Sequence, residues 1–207
     1  ISMLSVNSIS IAAGSTPRPG LIFALGALSN AVPFMALGWG QQFVTAGFAG
    51  VSMAIMPLIV LPLAHLFVAG ERMTMRRVIG FSIGFCGVLI LIGPEAFRSS
   101  GNAGEMAGRA ACLFAASCYA VSSILTRRLP PIDPVGLSAV TLWIGAGIVC
   151  AAALATEGVP RVPTGQVLTV LLTLGLVQTA MADLLRISVI RSAGPTFMAL
   201  VNYQVPV

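Results

Sequence analysis

The chain has no lysine, one histidine and only six acidic residues in 207, so charged residues make up 8% of it. A soluble domain carries about 25% charge. The longest gap is the 52 residues between Arg18 and Glu71, which hold no Asp, Glu, Lys or Arg. As one helix that gap would be about 78 Å long at 1.5 Å per residue. A bilayer core is about 30 Å thick and takes roughly 20 apolar residues to cross. The run must therefore fold back as two crossings, with the break expected at Gly40–Gly47, which reads GQQFVTAG. Hydrophobic residues are 57% of the chain and its mean hydropathy is +0.98, so the lipid bilayer is the expected surroundings.

Other scarcities exclude whole chemistries. Without lysine there is no GxxxxGK[ST] phosphate loop, and a gradient rather than a nucleotide is expected to drive any active transport. Four cysteines, Cys86, Cys112, Cys118 and Cys150, fit no zinc spacing and read as small buried apolar side chains. One His65 and scattered carboxylates imply no metal and no cofactor. The net charge of +5 comes entirely from arginine, without interleaved aromatics, so no nucleic-acid partner is expected. An integral membrane enzyme acting on a lipid-linked substrate would need grouped carboxylates or histidines at the interface. None are grouped here, and no enzyme is expected.

Six spans are expected, at about Leu21–Trp39, Phe48–Val68, Val78–Ile92, Met106–Thr126, Val135–Ala155 and Val167–Ile190, with a seventh beginning near Pro195. Thr74 is placed to cap the third span, and Asp133 followed by Pro134 to open the fifth. Gly194–Pro195 separates the sixth from the seventh. Gly80 and Gly84 form a GxxxG that allows close helix packing. The chain begins at Ile1 and ends in an apolar run at Val207, so it is expected to belong to a longer protein. Ile1–Ala13 is apolar and Ser-rich but too short to cross.

Arginines set the orientation. Eight lie in the even-numbered connections, counting the one before the first span as zero, and three in the odd ones. The positive-inside rule puts the even connections in the cytoplasm. An internal echo accompanies this alternation. FAGVSMAIMPL runs through Pro57 and FMALVNYQVPV through Pro206, with Phe48 matching Phe197 and Gly50 matching Ala199. The two helices are five crossings apart and so run in opposite directions, as in an inverted repeat.

The words VPFMALGWGQQF, AGFAGVSMAIMPL and LAHLFVAGERMTMRRVIGFSIGFCGVLILIGP, then SSILTRRLPPIDP and IRSAGPTFMALVNYQVPV, resemble the EamA family of the drug/metabolite transporter superfamily. The resemblance covers roughly Pro19–Val207. It implies an all-α, polytopic transmembrane helical bundle, a fragment of a ten-helix fold built from two inverted five-helix repeats. Residues 1–94 would be the C-terminal part of the first repeat, about three helices. Residues 95–207 would be the N-terminal part of the second, three helices and the start of a fourth. It also implies a secondary-active exporter of a small organic metabolite or drug in a bacterial inner membrane. A non-transporting scaffold or inactive fragment stays open, as does a homo-oligomer.

Polar groups inside apolar spans are the candidates for function. Asn30 could bind a small-molecule substrate or satisfy the backbone that Pro33 disturbs. Trp39 suits an interfacial anchor, while Gln41 and Gln42 beside it suit the outer mouth. His65 could relay protons or simply reach the interface. Tyr119 and Ser123 share a helical face and would line a cavity or hold helices together; Trp143 would face lipid or pack. Asn202 and Tyr203 follow the family's pattern for its ninth helix, which implies a cavity lining. Asp183 and Arg186, three apart, can pair on one face and would serve as a coupling or a structural pair. The family has aromatic residues at these last two positions, and this chain departs from it there.

The orientation is open to direct measurement. In an otherwise cysteine-free protein, Met75→Cys and Ile132→Cys should each resist impermeant thiol reagents in intact cells and react after permeabilisation. Rapid labelling of either in intact cells would invert the topology.

Overall fold

A computed structural model describes residues 19–99, 101, 103–158 and 165–203. Ile1–Ala13, Arg18, Arg161 and Pro206 lie outside the described residues. Among the described residues six helices are long and apolar enough to cross a membrane: Pro19–Gly40, Ala46–Phe67, Met75–Ile92, Glu105–Arg128, Pro134–Thr156 and Gln166–Ala193. They are called the first to sixth spans. A closing helix, Pro195–Ala199, runs into a 3-10 turn, Leu200–Tyr203. Among the described residues there is no strand. The ends differ from the expected spans by three residues at most.

The local signals explain where the helices start. Thr45 Oγ1 accepts from Phe48 N at 3.2 Å and opens the second span. Thr74 does the same for Arg77 N at 3.4 Å before the third. Asp133 Oδ2 accepts from Gly136 N at 2.8 Å, with Pro134 as the first helical residue of the fifth. Gly194, at φ +96°, sits between the sixth span and the closing helix, a backbone conformation that glycine adopts without a Cβ penalty.

The fourth span is the hub. It meets the first, second and sixth spans and the closing helix. It has room for them because most of its buried residues are small, namely Gly108, Cys112, Ala115, Ala116, Cys118, Ala120, Ser122 and Ser123, with Thr126 and Ile124 the larger ones. The tightest crossing is with the first span at its Gln41 end. A Cβ on Gly40 would lie 2.9 Å from Gly108 O, and one on Gly108 would lie 2.9 Å from Gly40 O. Small residues are what allow backbones to approach so closely in a bilayer. On the opposite face, Ala120 and Ile124 pack with Met56, Val60 and Ala64 of the second span and with Ala199.

The connections alternate as expected. At one end Glu71 pairs with Arg77 at 2.8 Å and touches Gly194. At the same end Arg127 donates to Arg191 O, and Arg191 donates to Pro130 O at 2.9 Å. Arg128 lies over the Phe67 ring. The arginine-rich connections therefore meet. At the other end Phe43 packs on Gly104 and Gly108, and Arg109 holds Glu105 and reaches the Phe48 ring.

Two expectations change. Cys112 and Cys118 are buried, but Cys86 and Cys150 are exposed on the bundle surface. An apolar stretch in a membrane protein supplies both inward and lipid-facing positions, and sequence position does not tell them apart. The Gly80–Gly84 motif does not seat another helix backbone. It receives an aromatic ring: a Cβ on Gly84 would lie 2.8 Å from Tyr203.

The Gly40–Gly108 approach predicts that Gly108→Val will force the first and fourth spans apart. Overpacking of this kind costs about 1–3 kcal/mol. The melting temperature in detergent should fall, whereas Gly20→Ala, at a position with open space, should leave it unchanged.

Candidate functional site

An open cleft of about 460 Å³ lies between the first, fifth and sixth spans, with Asn30 and Gly145 buried at its base and Phe34, Ala146, Val149 and Gly175 exposed along it. Asn30 and Phe34 line it from the first span, Leu142, Gly145, Ala146 and Val149 from the fifth, and Gly175, Thr179 and Ala180 from the sixth. Gly145 makes room for Asn30, because a Cβ there would come within 2.6 Å of the Asn30 Cβ. Phe34 stands edge-on to the Tyr119 ring, with centroids 6.5 Å apart. A second cleft of about 550 Å³ lies between the fifth and sixth spans and shares Leu142, Ala146 and Ala180 with the first. Ser138, Trp143 and Leu184 are among its walls. Trp143 is 80% exposed, so its ring faces outward.

Two of the three helices beside the first cleft lose their α-helical winding there, while the fifth span stays α-helical. Ala27–Ala31 in the first span is π-helical, and so is Leu174–Met181 in the sixth. Pro33 accounts for the first. It has no N–H for the Ser29 carbonyl and its ring crowds that turn, which a widened turn relieves. In the sixth span Thr179 Oγ1 donates to Leu174 O at 3.2 Å, five residues back, which matches the π spacing. Such turns recur at functional sites. Asn30 is 8% exposed and its Nδ2 donates to Ser29 Oγ at 2.9 Å.

Asp183 and Arg186 pair, as their spacing allows. Asp183 Oδ1 accepts from Arg186 Nε at 3.2 Å and Nη2 at 2.7 Å, and its Oδ2 accepts from Ser138 Oγ at 3.0 Å. Asp183 is 6% exposed. Among the described residues Arg186 Nη1 is buried with no hydrogen-bond partner, and Tyr119 lies within electrostatic reach of both charges. The Ser138 contact comes from another helix, so spacing alone could not reveal it. Thr179 had a signal, a hydroxyl midway along an apolar span, but many such hydroxyls bond only their own helix.

The remaining candidates fall into other places. Ser123 is buried and donates to Tyr119 O at 2.9 Å within its own helix. Gln41 and Gln42 are exposed on the turn after the first span. Asn202 donates to Met56 Sδ at 3.3 Å and to Ala199 O at 3.2 Å. Tyr203 covers Gly84, and its hydroxyl donates to Phe81 O at 2.8 Å. The structure thus brings Asn30, Phe34, Tyr119, Asp183 and Arg186 into one neighbourhood, while Asn202 and Tyr203 engage the second and third spans. Asn202 is not among the walls of the cleft that Asn30 lines. His65 Nδ1 accepts from Met73 N at 3.4 Å. Among the described residues no three of His, Cys, Asp and Glu come together as metal ligands.

The chain can now be set beside known proteins. The EamA-like transporter family matches it over residues 2–93 and 104–207. An "Uncharacterized transporter" from Archaeoglobus fulgidus is 34% identical over 74 residues, which is 36% of this chain and 26% of that protein. The "Uncharacterized transporter YoaV" of Bacillus subtilis is 28% identical over 145 residues, 69% of this chain and 49% of that protein. The chain spans about half the length of these relatives or less. No solved structure matches it. Six membrane-length helices and a family match along nearly the whole sequence agree: the chain is part of a multi-pass membrane protein and belongs to the EamA-like transporter family.

Proposed function

We propose that the full-length protein carrying this chain is a secondary-active transporter, moving a small organic metabolite or drug outward across a bacterial inner membrane. Residues 1–94 are read as the C-terminal part of one EamA repeat and residues 95–207 as the N-terminal part of the next. The observation that carries the reading is the cleft beside Asn30. Its volume of about 460 Å³ falls in the range of small-molecule sites. It lies among membrane-length helices, and both π-wound helices border it. Both named relatives are called transporters.

The Asp183–Arg186–Ser138 cluster is read as a structural clamp between the fifth and sixth spans. A lone carboxylate at this depth would be costly. Each Asp183 oxygen has a donor, so the charge is compensated where it stands.

Cells overproducing the full-length protein should release at least one labelled metabolite faster than an empty-vector strain. Gly175→Leu should reduce that efflux at least tenfold at an unchanged membrane level. It would put a side chain into the cleft at a position where a Cβ meets nothing within 4 Å. Full efflux in this variant would remove the cleft from the path.

Asp183→Asn should lower thermal stability and expression, because breaking a buried pair by removing one partner costs about 3–5 kcal/mol. Asp183→Asn/Arg186→Gln should recover much of the loss. A stable Asp183→Asn protein that still exchanges substrate but ignores a pH gradient would make Asp183 the proton-coupling group instead.

A further inference from the structure

The echo between Pro57 and Pro206 is a shift of 149 residues along the chain. The same shift carries the N-cap Thr45 onto the N-cap Gly194, and the helix start Ala46 onto Pro195. It also carries the π-helical Ala27–Ala31 onto residues 176–180, inside the π-helical Leu174–Met181. Asn30 lands on Thr179. The first and sixth spans are five crossings apart and therefore antiparallel, like the second span and the closing helix. Two backbone irregularities thus occupy equivalent places in oppositely directed helices, and one cleft lies between them with Asn30 and Thr179 both in its wall.

We infer that this cleft is a ligand site on the pseudo-twofold relation between the two π-helical segments. Asn30 and Thr179 are its paired polar contacts, and its ligand is an uncharged, largely apolar small solute that carries a hydrogen-bond donor. The assignment rests on the transport reading for its role in the cell. The site itself rests on the geometry.

The lining sets the chemistry. The residues around the cleft are uncharged, and most are apolar. The nearby Asp183 and Arg186 are engaged with each other, and Asp183 also with Ser138. Seating an ion there without a partner would carry a heavy desolvation penalty. Phe34 supplies one aromatic wall. Thr179 has one hydroxyl donor, which goes to the Leu174 carbonyl, so its oxygen is left to accept. Asn30 spends one amide N–H on Ser29 Oγ and has a carbonyl oxygen as well. Thr179 therefore favours a donor on the solute, and Asn30, with one N–H and its carbonyl oxygen left, meets either a donor or an acceptor. Equivalent contacts from two inverted helices would let the solute pass from one set to the other when the halves exchange conformation.

The test uses the full-length protein in proteoliposomes, with Cys86, Cys112, Cys118 and Cys150 replaced by alanine and either Thr179→Cys or Asn30→Cys introduced. The reagents are uncharged methyl methanethiosulfonate and its anionic sulfonatoethyl analogue. The probes are benzamide, benzyl alcohol and cyclohexanecarboxamide, with benzoate as the charged comparison. Both thiols should react at least tenfold faster with the uncharged reagent. At least one uncharged probe should slow both reactions with the same half-maximal concentration, and benzoate should slow neither. Unreactive thiols would mean that protein fills the cleft and would overturn the site. Protection at one position only, by benzoate equally, or by no probe would overturn it too. Efflux of the probes from the same vesicles separates the two claims. Protection of both thiols without efflux would sink the transport reading and keep the site, and efflux without protection would do the reverse.

Discussion

Three spans and the closing helix meet on the fourth span, and they fit because most of its inward side chains are Gly, Ala, Cys and Ser. Lipid tails are as apolar as leucine, so apolar side chains gain little by leaving lipid for a helix interface. Association depends instead on close contact and dispersion. Gly40 facing Gly108 gives that contact at one end. Ala120 against Met56 and Ala199 gives it at the other. The first cleft opens where the first span, held on the fourth, and the sixth span both pack against the fifth.

The second constraint is that polar groups inside the bundle need partners. Serine and threonine meet it locally. Ser52, Ser122, Ser123, Thr126 and Thr141 all donate to carbonyls three or four residues earlier in their own helices. Their O–H donors are spent in this way, and their oxygens can still accept. Asp183 meets the constraint across helices, through Ser138. Thr179 is different again, since its bond runs five residues back and goes with a π turn. Its donor is spent like the others, and what sets it apart is its place in the cleft wall.

Proline and π turns serve the same economy of backbone bonds. Pro57 follows the break at Ile55 in the second span, and Pro33 follows the π turn of the first. An irregular backbone inside a membrane is tolerated where protein or a cavity receives the freed groups. The π turn before Pro33 has the cleft beside it, which links a local sequence feature to a place where a solute can sit.

Much of the architecture follows from the sequence alone. Charge depletion from Arg18 to Glu71 requires membrane crossings, and apolar length counts them. Thr74, Asp133–Pro134 and Gly194–Pro195 mark helix ends through local hydrogen bonding, which is why they could be read without neighbours. The arginine distribution agrees with connections that meet at one end. The Asp183–Arg186 pair was legible because three residues on a helix fix a shared face. What needed tertiary structure was every choice between inward and outward. The sequence treats Cys86 and Cys112 alike, yet one is exposed and the other buried. Asn30 and Asn202 look like equal candidates, yet one borders a cleft and the other bonds Met56. In water, polarity predicts which face is outside. In a bilayer both the lipid-facing and the packed faces are apolar, so only the contacts between helices decide.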